Sequence, residues 1–340
     1  MPQPPPIRRQ PRKIFRRFFF YFVFLGFIGA NVLAWFHAQA MLTYTRSDQR
    51  TPLPEKLTPG QKINVLIRGV SLPRPENNRT PKDIELPFET RSFSGAFGLT
   101  IEGWLIPSSA SKGLVILFHG NGTSKSSLLP AAKVIHQDGW DCFLLDFHGS
   151  GGSAGTTTSI GWFEATDVAE AYNRVRVAYR NKPVVLYGAS MGSAAILRAI
   201  AENGIQPDGI ILEQPFDTLL NTVRQRYKAM GLPATPFAEL LVLYGGLNRG
   251  FNGFDHNPAT YAREVTCRAL VLNGELDDRA TPVQAENVFR NLGGKKTKKQ
   301  FARLGHVSFA EARPGVWRAV VNDFLTTVFD SFPALPAPSK

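Results

Sequence analysis

Three regimes of hydrophobic and polar positions succeed one another along the chain. From Phe18 to Phe36, nineteen residues (FFFYFVFLGFIGANVLAWF) pass without a charge. A helix of that length rises roughly 28 Å, close to the hydrocarbon thickness of a bilayer. Residues 37–83 lose sustained periodicity and gather Pro, Arg, Asn and Thr, which predicts a linker with one short strand at Ile63–Ile67. From 84 to 330, short apolar runs alternate with helical stretches.

Within that third regime, Ile84–Phe93 and Leu99–Ile106 alternate apolar and polar residues around a Ser-Gly turn, as an antiparallel strand pair does. Leu114–Phe118, Cys142–Leu145, Val184–Tyr187, Ile210–Leu212 and Leu270–Leu272 are unbroken apolar runs, suited to strands buried on both faces. Helical patterns fall between them at Leu128–Gln137, Trp162–Tyr179, Met191–Asn203 and Pro282–Leu292, and Gly315–Phe329 reads as a closing helix. Strands separated by helices of this length predict a mostly parallel sheet in a three-layer α/β/α sandwich, preceded by one transmembrane helix. Residues 215–262 break the rhythm as a cap-like insertion, and the proline-rich residues 331–340 read as a tail.

Charge alters this picture mainly at the N-terminus. The net charge is +12, and residues 1–50 account for +7 of it. Arg8, Arg9, Arg12, Lys13, Arg16 and Arg17 precede the apolar run, while few cations follow it. The positive-inside rule makes 1–17 a cytoplasmic segment, 18–36 a membrane span or signal-anchor, and the folded domain exported. Ala38-Gln39-Ala40 matches a processing site, so secretion after cleavage near Ala40 is the alternative. Beyond residue 50 the surplus of positive charge is small, and the run Lys295, Lys296, Lys298 and Lys299 reads as a solvated turn. That distribution gives no stripe for nucleic acid, so no such partner is expected. Two cysteines, Cys142 and Cys267, without a CxxC exclude a disulfide scaffold and a cysteine-rich zinc site.

Parallel sheets bind ligands at the carboxyl ends of their strands. After Val184–Tyr187 comes Gly188-Ala189-Ser190-Met191-Gly192, a G-x-S-x-G between a buried strand and an apolar helix, which makes Ser190 the candidate nucleophile. Gly188 and Gly192 permit the tight elbow. A serine hydroxyl needs a base. Of the six histidines, His306 alone sits on a loop after a late strand and follows the candidate acids in Ser, Asp, His order. The acid that orients it is expected at a strand end, which favours Asp277, with its neighbour Asp278 as the alternative. The developing oxyanion asks for two backbone N–H groups: Met191, opening its helix, and Asn121, in the His119-Gly120-Asn121-Gly122 loop.

The ordered set HGNG, DFHGSGGS, GASMG, a GxxD loop and a final GH resembles the α/β-hydrolase superfamily over about residues 84–330, and is similar to membrane-anchored α/β-hydrolase-domain proteins and serine aminopeptidase-like hydrolases. The resemblance implies a Ser190, Asp277, His306 triad, no metal or other cofactor, and hydrolysis of an ester, thioester or amide bond in a small-molecule or lipid-like acyl substrate. Relatives commonly carry Arg where His148 stands, and the acid loop holds one extra residue before Pro282. The competing readings are a catalytically silent membrane-tethered scaffold, and an aminopeptidase or acyltransferase with the same triad. With the linker read as a tether, a chain beginning near residue 60 is expected to keep its chemistry.

Overall fold

The computed structural model describes residues 11–46, 49–52 and 57–333, so the residues before 11 and the end of the expected tail lie outside the described residues. The chain opens with α1 (Pro11–Met41), in which Phe15–Met41 is long and apolar enough to cross a membrane. Residues 15–29 are exposed. Further on, Asn31, Ala34, Ala38 and Met41 recur at the three-to-four spacing of one helical face and are partly or fully covered by the rest of the molecule.

Helix α2 (Pro59–Arg68) stands where a short strand was predicted at Ile63–Ile67. Local capping decided this. Thr58 Oγ1 accepts the Gln61 N–H, the Gln61 side chain accepts the Thr58 N–H, and Pro59 opens the first turn. Its neighbours in the expected linker run along the domain surface: Tyr44 N–H bonds Thr156 O, Thr45 N–H bonds Leu72 O, and Arg74 donates to the carbonyls of Gly151 and Ser153.

The sheet and its helices follow as β1 (Glu89–Ser94), β2 (Thr100–Ile106), β3 (Leu114–Phe118), α3 (Leu129–Gln137), β4 (Asp141–Leu145), α4 (Glu164–Ala178), β5 (Val184–Ala189), α5 (Met191–Asn203) and β6 (Gly209–Glu213). The cap supplies α6 (Leu219–Ala229), α7 (Phe237–Arg249) and α8 (Pro258–Tyr261). The chain then completes the sandwich with β7 (Arg268–Gly274), α9 (Pro282–Asn291), β8 (Lys296–Phe301), α10 (Phe309–Ala312) and α11 (Pro314–Ser331).

Eight strands form one sheet in the order β1-β2-β4-β3-β5-β6-β7-β8. β1 and β2 are antiparallel, β2 meets β4 antiparallel, and the remaining pairings are parallel. Side-chain alternation along the strands splits the core in two. Ile116, Phe118, Leu186 and Leu212 pack with Val168 of α4 and Ile196 of α5 on one face. Val115, Leu117, Val185 and Ile211 pack with Ile135 of α3 and Trp317 and Leu325 of α11 on the other. The three-layer sandwich is therefore the observed architecture.

Two strand positions differ from expectation. Pro81–Ile84 forms a 3-10 turn, and β1 starts only at Glu89. Lysines 296, 298 and 299 belong to β8 rather than to a turn. This is the sheet's last strand, where lysine on an unpaired edge discourages further strand addition.

Candidate active site

Ser190 stands at the junction of β5 and α5 with φ 52° and ψ −107°, a left-handed backbone that an L residue adopts only under constraint. The constraint comes from close packing. A Cβ on Gly188 would lie 2.5 Å from Gly192 C, and one on Gly192 would lie 2.4 Å from Phe118 O. Both glycines thus let backbones approach across the elbow. Ser190 N–H bonds Glu213 O at 2.8 Å, and Ser193 Oγ donates to Gly188 O at 2.7 Å.

His306 and Asp277 come together at the ends of β8 and β7. His306 Nδ1 is 2.8 Å from Asp277 Oδ2, while Asp277 Oδ1 accepts the N–H groups of Arg279 and Ala280, both at 2.9 Å. With one oxygen held by backbone donors, the other has a fixed direction toward the imidazole. Asp277 is buried, whereas Asp278 is exposed. Gln214, in a left-handed conformation after β6, donates its side-chain amide to Val307 O at 2.8 Å and Gly305 O at 3.4 Å. The histidine loop is in this way tied to the strand end whose Glu213 carbonyl holds Ser190. Nothing in the sequence pattern marked Gln214: its role depends on a loop 93 residues away.

The HGNG loop approaches the serine from β3. A Cβ on Gly120 would lie 3.6 Å from Ser190 Cβ, which places this loop against the serine. Asn121 is half-buried and its Oδ1 accepts the Tyr44 hydroxyl at 3.0 Å. Met191 opens α5, where first-turn N–H groups lack intrahelical acceptors. The loop is anchored by buried Lys125, whose ammonium meets Asp146 and, at 2.7 Å, Glu102, and whose N–H bonds Asp146 Oδ1 at 2.7 Å. Tyr44 escaped the sequence reading because it lies in the stretch taken as a linker.

The other histidines have different surroundings. Buried His119 has Nδ1 2.8 Å from Gly120 O and accepts the Phe147 N–H on Nε2, so burial keeps its ring neutral and its pKa below the ordinary value. His256 is pushed down to about 4 by burial, with Nε2 on Ile160 O. His148 goes the other way. Burial would lower it, but the Asp167 hydrogen bond at 2.6 Å and the nearby Glu164 charge outweigh that and raise it to about 9. A cation therefore still stands where relatives carry arginine.

Buried Glu213 is also raised by desolvation, while accepting Tyr187 Oη at 2.8 Å and Trp317 Nε1 at 3.0 Å. Two cavities open beside this constellation and share Asn121. One, of about 570 Å³ with its mouth included, is almost wholly apolar. The other, of about 1110 Å³ with its mouth included, is lined in part by Arg50, Arg226, Asp278 and Arg279.

Comparison with known proteins agrees with this architecture. A family profile described as serine aminopeptidase, S33, matches residues 109–243. An uncharacterized protein of Bacillus subtilis, YqkD, is 22% identical over 242 residues, which cover 69% of this chain and 78% of that protein. The lysophosphatidylserine lipase ABHD12 of Bos taurus is 24% identical over 195 residues, 54% of this chain but only 46% of the lipase. Among solved structures, the Pyrococcus furiosus esterase Pf2001 superposes with a TM-score of 0.63 at 21% identity, covering 75% of this chain and 96% of its own. The class that fold and relatives define is an esterase- and lipase-like hydrolase. The fold is that of the α/β-hydrolase superfamily, and the family profile and these relatives are similar to the chain within it.

Proposed function

We propose that the chain is a membrane-anchored serine hydrolase that cleaves an acyl ester of a lipid-like substrate through an acyl-enzyme on Ser190. The observation that carries this reading is the 2.8 Å pair of His306 and buried Asp277 on the same sheet edge as a left-handed serine. His306 takes the Ser190 proton on Nε2 as Oγ attacks the substrate carbonyl, and Asp277 holds Nδ1–H and stabilises the imidazolium. The backbone N–H groups of Met191 and Asn121 receive the oxyanion. His306 then protonates the leaving alcohol, and later activates the water that releases the acid.

Three observations support a lipid-like substrate: the apolar cavity at Asn121, the bilayer-length helix α1, and a relative named a lysophosphatidylserine lipase. The six cations ahead of the apolar run Phe18–Phe36 support an exported domain. The serine aminopeptidase description of the matching family favours a second reading, cleavage of an N-terminal amide.

One experiment separates these. Full-length protein is treated with a fluorophosphonate probe and then assayed on p-nitrophenyl esters of increasing chain length and on aminoacyl anilides. Labelling at Ser190 with preference for medium or long acyl esters is the expected result. Faster turnover of the anilides replaces it with the peptidase reading, and a folded, unlabelled protein with the silent scaffold.

A further inference from the structure

The apolar cavity beside the candidate site has an unexpected wall. Ala38, Met41 and Leu42, at the end of α1, line it together with Leu219, Val223 and Leu241 of the cap, and its lining reaches Asn121. Ala38 is 1% exposed. The helix is held there by specific contacts to α7. The Tyr244 hydroxyl donates to Asn31 Oδ1 at 2.6 Å, Asn248 Nδ2 donates to Trp35 O at 3.3 Å, and Arg249 donates to Leu42 O and, at 2.6 Å, to Thr43 Oγ1. The Trp35 and Tyr244 rings meet edge to face at 5.8 Å. Gly245 of α7 faces the same place, with Leu42 Cδ1 in van der Waals range of its Cα substituent position.

We infer that the C-terminal end of α1 is a structural wall of the acyl-binding cavity, and that the acyl chain of a bilayer lipid enters alongside this helix with its ester carbonyl at Asn121. The inference deepens the lipid-hydrolase reading and rests on it. The occupant follows from continuity. The residues ahead of the wall form an exposed apolar surface of membrane-crossing length, so the cavity lies where that surface ends. An acyl chain that follows the exposed apolar side of α1 ends at the mouth of an apolar cavity, where burial of its methylenes is favourable. Processing after Ala40 would remove Ala38 from the wall, so the inference concerns the chain that keeps its N-terminal helix.

The test uses the full chain in detergent or vesicles. Ala38→Phe fills the cavity and is expected to lower the ratio of kcat/KM for decanoyl over butyryl p-nitrophenyl ester about tenfold, as loss of room for several methylenes does. Phe36→Ala, on the exposed side of the helix, is expected to leave that ratio unchanged. A second measurement does not rely on tolerance of the larger side chain. In a Cys267→Ser background, Leu42→Cys is reacted with a maleimide after treatment with a long-chain or a methyl fluorophosphonate. Each reagent bonds phosphorus to Ser190 Oγ with loss of fluoride. Protection of the thiol by the long chain alone supports the inference. Equal maleimide rates after both reagents, with Ser190 adducts seen by mass spectrometry, overturn it and leave the hydrolase reading standing. An unchanged ester ratio in folded Ala38→Phe also overturns it. Absence of any Ser190 adduct overturns the hydrolase reading and this inference together.

Discussion

The left-handed backbone of Ser190 costs about 1–3 kcal/mol in isolation, and packing of Gly188 on Gly192 and of Gly192 on Phe118 holds it in place. Alanine at 190 keeps that backbone and loses only the hydroxyl. Ser190→Ala is therefore expected to cut kcat for p-nitrophenyl esters by on the order of 10³-fold or more, with the thermal midpoint close to the parent. Near-normal turnover removes Ser190 from the mechanism. The two acid candidates separate by what their oxygens touch. Asp277 contacts His306 and two backbone N–H groups, while Asp278 is exposed. Asp277→Asn is expected to lower kcat about 10³- to 10⁴-fold by disturbing the histidine tautomer, and Asp278→Asn to do far less. Steady-state kinetics of the two variants decides it, and the reverse order moves the acid to Asp278. The sequence could favour Asp277 but not separate neighbours, because both follow the same strand and only loop geometry aims one inward.

At the scale of elements, α4 does more than cover the sheet. Its first turn carries Glu164 and Asp167, well placed at a helix N-terminus. Glu164 accepts from Thr158, Ser159 and Gly161, and Asp167 from Ala96, His148 and the His148 ring. Protonated His148 is what ties the loop after β4 to this helix. Its folded pKa of about 9 lies above the ordinary 6.5, so the folded state binds the proton more tightly than the unfolded chain. That stabilisation is complete below pH 6.5 and is lost as pH rises through about 9. His119 and His256 have depressed values and titrate below this window. The melting temperature should thus fall between pH 6.5 and 9, and His148→Asn should be less stable but show a flatter profile in that range. A parent profile that is level there refutes the charged pairing. The sequence flagged His148 as a departure. It could not show that two carboxylates 16 and 19 residues later would make the ring an adequate cation.

At the scale of the molecule, helix α1, the segment after it and the cap form one packed body. Ala38, Leu57 and Val65 share a buried cluster with Leu219, Val223, Tyr227, Leu241 and Val242. Tyr44 braces Asn121, and Arg50 reaches Gly122 O at 3.4 Å. A chain beginning at 51 exposes part of that cluster and frees the loop beside Ser190. It is expected to melt roughly 5 °C or more below the full chain, since a destabilisation of 2 kcal/mol produces shifts of that size in a domain this large. It should also lose activity on water-soluble butyryl esters, not only on vesicle-embedded substrate. Thermal melts and esterase assays of both chains check this. Equal stability and equal butyrate turnover would instead return residues 37–50 to the role of a tether.

Periodicity alone carried the architecture of this protein. Short unbroken apolar runs suit strands buried on both faces, and the helix-length segments between them suit the crossovers of a parallel sheet. The elbow serine was legible for the same reason, because its motif is local and its setting of strand, turn and helix is local too. The choice between neighbouring aspartates, the bracing of loops by Gln214 and Tyr44, the helix at 59–68 and the docking of α1 on α7 belong to the tertiary structure. The helix had its signal in Thr58, Pro59 and Gln61, which apolar spacing over a few residues does not register. The others depend on partners between 29 and 213 residues away, or on which way a loop turns, and hydrophobic patterning contains neither quantity.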